Sequence, residues 1–170
     1  MKKILYLFLS LSFIFTACKK EEGCTDAIAT NFNADAEEDD NSCIYSVEGV
    51  WSPTSISGNS TQTVVVLGQT VESFDTTFTM TPEEANMEGP VEFTDNGQFI
   101  TPEDTSTYVY SNNTITMTDD EGDVENFTCT VTKTTLEMTF TESEVTTEDY
   151  MGVEATVTEN MEMTINATRQ

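Results

Sequence analysis

Thirty-one carboxylates, four cysteines and no histidine decide what chemistry this chain can attempt. Without histidine there is no imidazole base, no Ser-His-Asp triad and none of the commonest metal ligand. Paired carboxylates can still act alone as acid and base or nucleophile, as in glycosidases. That chemistry needs two acids held in one cleft, and the spacing of these acids singles out no pair. The sequence therefore predicts a protein that binds or builds rather than one that catalyses. The cysteines are Cys18, Cys24, Cys43 and Cys129. The formal charge of −25 repels phosphate backbones, so no nucleic-acid partner is expected.

Cys18 stands at a distinctive place. Lys2 and Lys3 open the chain, residues 4–15 are apolar, and Thr16 and Ala17 are small. A positive start, a short apolar run and small exit residues make a secretory signal peptide. The run is too short for a permanent span, which needs roughly 20 residues. Phe15-Thr16-Ala17-Cys18 resembles the lipobox of bacterial lipoproteins, although the usual leucine is replaced by Phe15. The resemblance implies cleavage of residues 1–17 and lipidation of Cys18. Lys2 and Lys3 would leave with the leader, taking the formal charge from −25 to −27. Such a surface is repelled by anionic head groups, so the acyl chains on Cys18 are expected to be the whole membrane anchor. Lys20-Glu21-Glu22 resembles the signal that sends some Gram-negative lipoproteins to the outer face of the outer membrane.

Residues 18–46 form an acidic tail. From Gly23-Cys24-Thr25-Asp26 to Ser42-Cys43-Ile44-Tyr45 it is similar to a small module, often repeated, in secreted proteins of Gram-negative environmental bacteria. In an oxidising compartment Cys24 and Cys43 should pair, and closing a loop of about 20 residues would stabilise the segment by about 3 kcal/mol. Asp26, Asp35, Asp39 and Asp40, with nearby asparagines, offer oxygen ligands for calcium, the one cofactor to consider. The spacing does not fit the EF-hand loop, and the same residue types build turns through hydrogen bonds to backbone.

Residues 47–170 must position whatever function exists. Apolar and polar residues alternate at Thr114-Ile115-Thr116-Met117-Thr118, at Phe127-Thr128-Cys129-Thr130-Val131, at Leu136, Met138 and Phe140, and at Met161, Met163, Ile165 and Ala167. Period two marks half-buried antiparallel strands. Runs at 48–57, 62–67, 70–80, 91–95, 98–101, 106–111, 113–118, 124–132, 135–142, 152–159 and 161–168 merge into roughly nine strands. Turns are expected at Asp95-Asn96-Gly97, Ser111-Asn112-Asn113, 119–123, Thr132-Lys133-Thr134 and Glu159-Asn160, the first by the Asn-Gly preference of tight hairpins. Thr81 as cap and Pro82 in the first turn predict one short helix over 81–86. The fold class is all-β: an antiparallel meander, closing most simply into an up-and-down barrel of about eight strands, with a sandwich as the alternative.

Val47-Glu48-Gly49-Val50-Trp51 looks like the Gly-x-Trp opening of lipocalins and related calycin barrels, and Phe93-Thr94-Asp95-Asn96-Gly97-Gln98-Phe99 is similar to a strand and turn of bacterial lipocalin-like lipoproteins. The resemblance implies that Trp51 packs across the barrel floor. Many lipocalins cover that tryptophan with an arginine near the last strand; this sequence departs from that pattern, with no clear equivalent other than the very terminal Arg169. It also implies an apolar interior. Inward candidates are Phe78, Met80, Phe93, Phe99, Tyr108, Tyr110, Met117, Phe127, Met138, Phe140, Met161 and Met163, with Val65 and Val157. An eight-stranded barrel of this kind is either filled by such side chains or hollow enough for a small apolar ligand; the filled reading stands slightly ahead. Cys129 shares a face with Phe127 and Val131 and reads as buried and inert. Two functions follow: an outer-membrane lipoprotein that binds a small apolar ligand or an envelope partner, or a structural or adhesive module with a filled barrel.

Overall fold

The computed structural model describes residues 20–170; the leader and Cys18 lie outside them. The described residues contain no helix. They belong to two compact units, one ending at Ile44 and one spanning Tyr45–Gln170.

The first unit is held by local bonds around one disulfide. Cys24 and Cys43 are joined, with an S–S distance of 2.03 Å, and Cys24 is buried. Two-residue strands β1 (Glu22–Gly23) and β2 (Glu38–Asp39) pair in parallel. The Asn31 amide substitutes for a peptide group: its Nδ2 donates to Ser42 O at 2.6 Å and its Oδ1 accepts from Ile44 N at 2.8 Å. These bonds supply order that so short a segment cannot obtain from a core.

The second unit is a nine-stranded antiparallel sheet: β3 (Gly49–Val66), β4 (Gln69–Met80), β5 (Val91–Phe93), β6 (Gln98–Ile100), β7 (Thr105–Ser111), β8 (Thr114–Thr118), β9 (Val124–Val131), β10 (Thr135–Tyr150) and β11 (Val153–Arg169). Neighbours from β5 to β11 pair in chain order, β5 also pairs β3, and β11 returns to β3. Hydrogen bonds thus run around a ring of eight strands, with β4 attached outside it to β3. Closing the ring removes the unpaired edges that a meander would expose.

The ring is short and four strands outrun it. β5 covers β3 only at Gly49–Trp51, and β9 covers β10 only at 136–140. Beyond those points β4, β3, β11 and β10 continue as a four-stranded extension. Its outward row includes Thr141, Glu162, Asn59 and Thr77 in register. A small apolar cluster of Val64, Ala155 and Val157 lies on the other face. Val64 rather than Val65 is the buried residue there, because β3 bulges at Thr54 and shifts its parity. Pro53 sits beside that bulge, where a missing N–H is tolerated, and Thr54 Oγ1 donates to Asn166 O at 3.0 Å.

Two expected breaks and an expected helix differ. Residues 48–57 and 62–67 are one strand, and so are 152–159 and 161–168. Glu159 and Asn160 make no hairpin; they pair with β10 and β3 on either side, and Ser143 Oγ donates to Asn160 Oδ1 at 2.8 Å. The hairpin instead turns at Met151 (φ 55°) and Gly152 (φ 86°), the paired positive φ of a type I′ turn. The helix expected at 81–86 is a capped turn, with Ala85 N donating to Thr81 O but Met87 N to Pro82 O. Its capping box is complete: Thr81 N donates to Glu84 Oε2 at 2.8 Å and Glu84 N to Thr81 Oγ1 at 3.3 Å. The Thr81 N–H, then its hydroxyl, hold the Glu84 carboxyl below the usual carboxylate range.

The core lies inside the ring. Trp51, Ile56, Phe93, Ile115 and Leu136 are almost wholly buried, because the inward positions of each strand follow the alternation in sequence. Phe93 stacks obliquely on Phe99 at 4.7 Å and edge-on against Tyr108 at 5.0 Å.

Candidate functional site

The turns divide the ring into two unlike ends. One end carries the starts of β3 and β10, the end of β11 and the turns at Asp95-Asn96-Gly97, Asn112-Asn113 and Thr132-Lys133-Thr134. The other carries the 101–104 and 119–123 turns and the departing extension.

The first end is closed by Trp51 and Arg169. The indole is fully buried and its Nε1 donates to Val47 O at 2.7 Å. The Arg169 guanidinium lies 4.2 Å above the ring centroid. Its Nη1 donates to Glu48 O at 2.6 Å, Nη2 to Ser46 O at 2.7 Å and Nε to Lys133 O at 3.1 Å. Gly49 is required beside it: φ is +126°, and a Cβ there would stand 2.7 Å from Nη1. Partial burial lowers the Arg169 pKa, yet guanidinium stays charged across the working range. Burying about 200 Å² of indole at about 25 cal/mol/Å² contributes about 5 kcal/mol.

Above this floor the interior is partly open. A cavity of about 370 Å³ is lined by Met87, Phe99, Met117, Phe127, Met138 and Ile165, with Thr101, Ser106, Asp104, Asp119, Asp123 and Glu125 toward its mouth. Other depressions lie on exposed strand faces, such as that between Asn59, Ser143, Asn160 and Met161, and are polar or shallow. Methionine and phenylalanine give the ring cavity an adaptable apolar wall beside its six polar residues, and concave apolar space is the usual form of a small-molecule site.

Among the expected lining residues, Phe99, Met117, Phe127 and Met138 face this cavity. Phe93 and Tyr108 are packed core; Tyr108 donates to Thr94 O at 2.8 Å, and burial, then the charges of Glu48 and Asp95, raise its pKa. Phe140 lies against Phe127 at 5.5 Å. Phe78, Met80, Tyr110 and Met163 pack against the core without lining the cavity. Met161 lies outside, on the extension. Met87 and the acidic mouth escaped the sequence reading, and Ile165 was not among its lining candidates. Met87 follows a turn rather than a strand and so carries no alternation; Ile165 lay in the Met161–Ala167 series and was legible there.

Cys129 is buried beside Tyr110; burial raises its thiol pKa, opposed by the Tyr110 hydrogen bond. In the first unit, Asp26, Asp39 and Asp40 accept backbone N–H bonds from Ile28, Asn41 and Ser42, and Asp35 N donates to Asn33. These acids serve as turn formers, and among the described residues no three acidic, histidine or cysteine side chains converge as a metal site would require.

No protein-family profile, curated protein or solved structure matches the chain.

Proposed function

We propose that this chain is a lipid-anchored protein of the Gram-negative outer membrane whose 47–170 domain is a lipocalin-like up-and-down barrel binding a small apolar ligand. The observation that carries the reading is the methionine- and phenylalanine-lined cavity of about 370 Å³ inside an eight-strand ring. The Gly49-x-Trp51 floor with Arg169 across the indole supports the lipocalin likeness. Binding rather than catalysis fits a chain without histidine, and the role of Cys18 rests on its flanking sequence.

The test is uptake of an apolar fluorescent probe by the full chain, compared with Met117→Trp and Met138→Trp, which fill the cavity. Saturable uptake lost in both variants supports the reading; no uptake sinks it. A structural or adhesive role is the second reading, favoured by the long four-stranded extension of β4, β3, β11 and β10 beyond the ring. For the anchor, Cys18→Ser is expected to leave the membrane fraction while the disulfide and the sheet form normally. Continued fractionation with membranes would show that lipid on Cys18 is not the anchor.

A further inference from the structure

We propose that the ring cavity selects a cationic amphiphile, its apolar chain among the methionines and its positive head group at the mouth. This rests on the ligand-binding reading above and adds the ligand's charge.

The charges of the unit are unevenly placed. Its two cations, Lys133 and Arg169, both lie at the closed end, and Arg169 is committed to Trp51 and three carbonyls. The open end has none. Asp104 comes from the β6–β7 turn, Asp119 and Asp123 flank the β8–β9 turn, and Glu125 begins β9. Asp119 is occupied: its Oδ1 accepts from Glu121, Gly122 and Asp123 N at 3.0, 2.8 and 2.9 Å. It fixes the turn that carries Asp123. The carboxylates of Asp104, Asp123 and Glu125 are exposed and accept no hydrogen bond or ion pair from the described residues.

Acids alone would be ordinary surface charge on so acidic a chain. Here three uncommitted carboxylates from separate elements border an apolar-walled cavity, and no lining residue is cationic. An apolar wall at the mouth strengthens the field acting on a ligand that enters it. A carboxylate or sulfate head group would be held off, and a neutral one would gain only from its chain. An ammonium or guanidinium group can meet these acids while keeping its hydration on the outer side.

The experiment is calorimetric titration of the full chain with three probes sharing a decyl chain, each below its micellar concentration: decyltrimethylammonium, decyl maltoside and decyl sulfate. The ammonium probe is expected to bind about tenfold tighter than the maltoside, which corresponds to about 1.4 kcal/mol, and the sulfate weakest. The preference should shrink with salt. It should collapse in the combined Asp104→Asn, Asp123→Asn and Glu125→Gln variant, while maltoside affinity stays unchanged. It should persist when Glu142, Glu144 and Glu148 of the extension are changed to Gln. Equal binding of all three probes, or equal loss in both variants, overturns the charge selection and leaves apolar binding standing. Binding of none overturns the ligand-binding reading itself.

Discussion

A single arginine does the work of a cap, a clamp and a lid at the closed end. Arg169 reaches carbonyls 121 and 123 positions away in sequence, at Glu48 and Ser46, while covering Trp51. Charged donors to carbonyls and a cation over an indole together predict that Arg169→Ala lowers stability by about 2–3 kcal/mol. Arg169→Lys should recover only part of it, since one ammonium cannot span the fork. Urea unfolding monitored by Trp51 fluorescence checks both; an unchanged midpoint for the alanine variant would refute the assignment. Cys129, Tyr108 and Tyr110 share a second effect, since burial raises all three pKa values above their ordinary 9.0 and 10.0. Their neutral forms are favoured in the fold, so their contribution is complete below pH 9 and is lost as pH rises through the folded values. Thermal melts should decline above about pH 9, and Cys129→Ala should move the onset upward. An unmoved onset would place the sensitivity in the tyrosines. The sequence showed these side chains as inward by alternation alone. It did not show that Arg169 is the cover, because that contact joins positions at opposite ends of the unit.

At the scale of elements, pairing outweighed local turn preference. Residues 58–61 and Glu159-Asn160 read as breaks, yet each lies mid-strand between two partners. At Gly58 the lack of a side chain has a use: a Cβ would meet the Glu162 carbonyl and the Phe78 ring. The β10–β11 turn was harder to see because Met151 is a poor turn residue. Leu67 (φ 49°) and Met151 (φ 55°) occupy left-handed positions and are 86% and 90% exposed. A type I′ turn prefers Asn there, so Met151→Asn should stabilise the β10–β11 hairpin by about 0.5–1 kcal/mol. Differential scanning calorimetry decides it, and a lowered Tm would mean that Met151 has a contact the fold depends on. The strands themselves were legible, since one face is buried and register is thereby fixed. The acidic mouth was not, because Asp104, Asp123 and Glu125 gain meaning only when two turns and a strand start meet.

The whole molecule joins a disulfide-held segment of local bonds and a second unit whose order is non-local. Cys24 and Cys43 are 19 residues apart, and the bonds described in their unit are all available once residues 20–44 exist. The ring is the opposite case. Its seam pairs β3, the first strand of the unit, with β11, its last, over fifteen residue pairs from Val66–Ala155 to Trp51–Arg169. Until β11 has emerged, β3 lacks one partner, Trp51 has no roof and the cavity has no complete wall. Closing so long a loop makes assembly slow and late compared with local structure. The seam is therefore also a clock. A growing chain stays unclosed until β11 has been synthesised, and that one strand completes the seam, the cover of Trp51 and the cavity wall together.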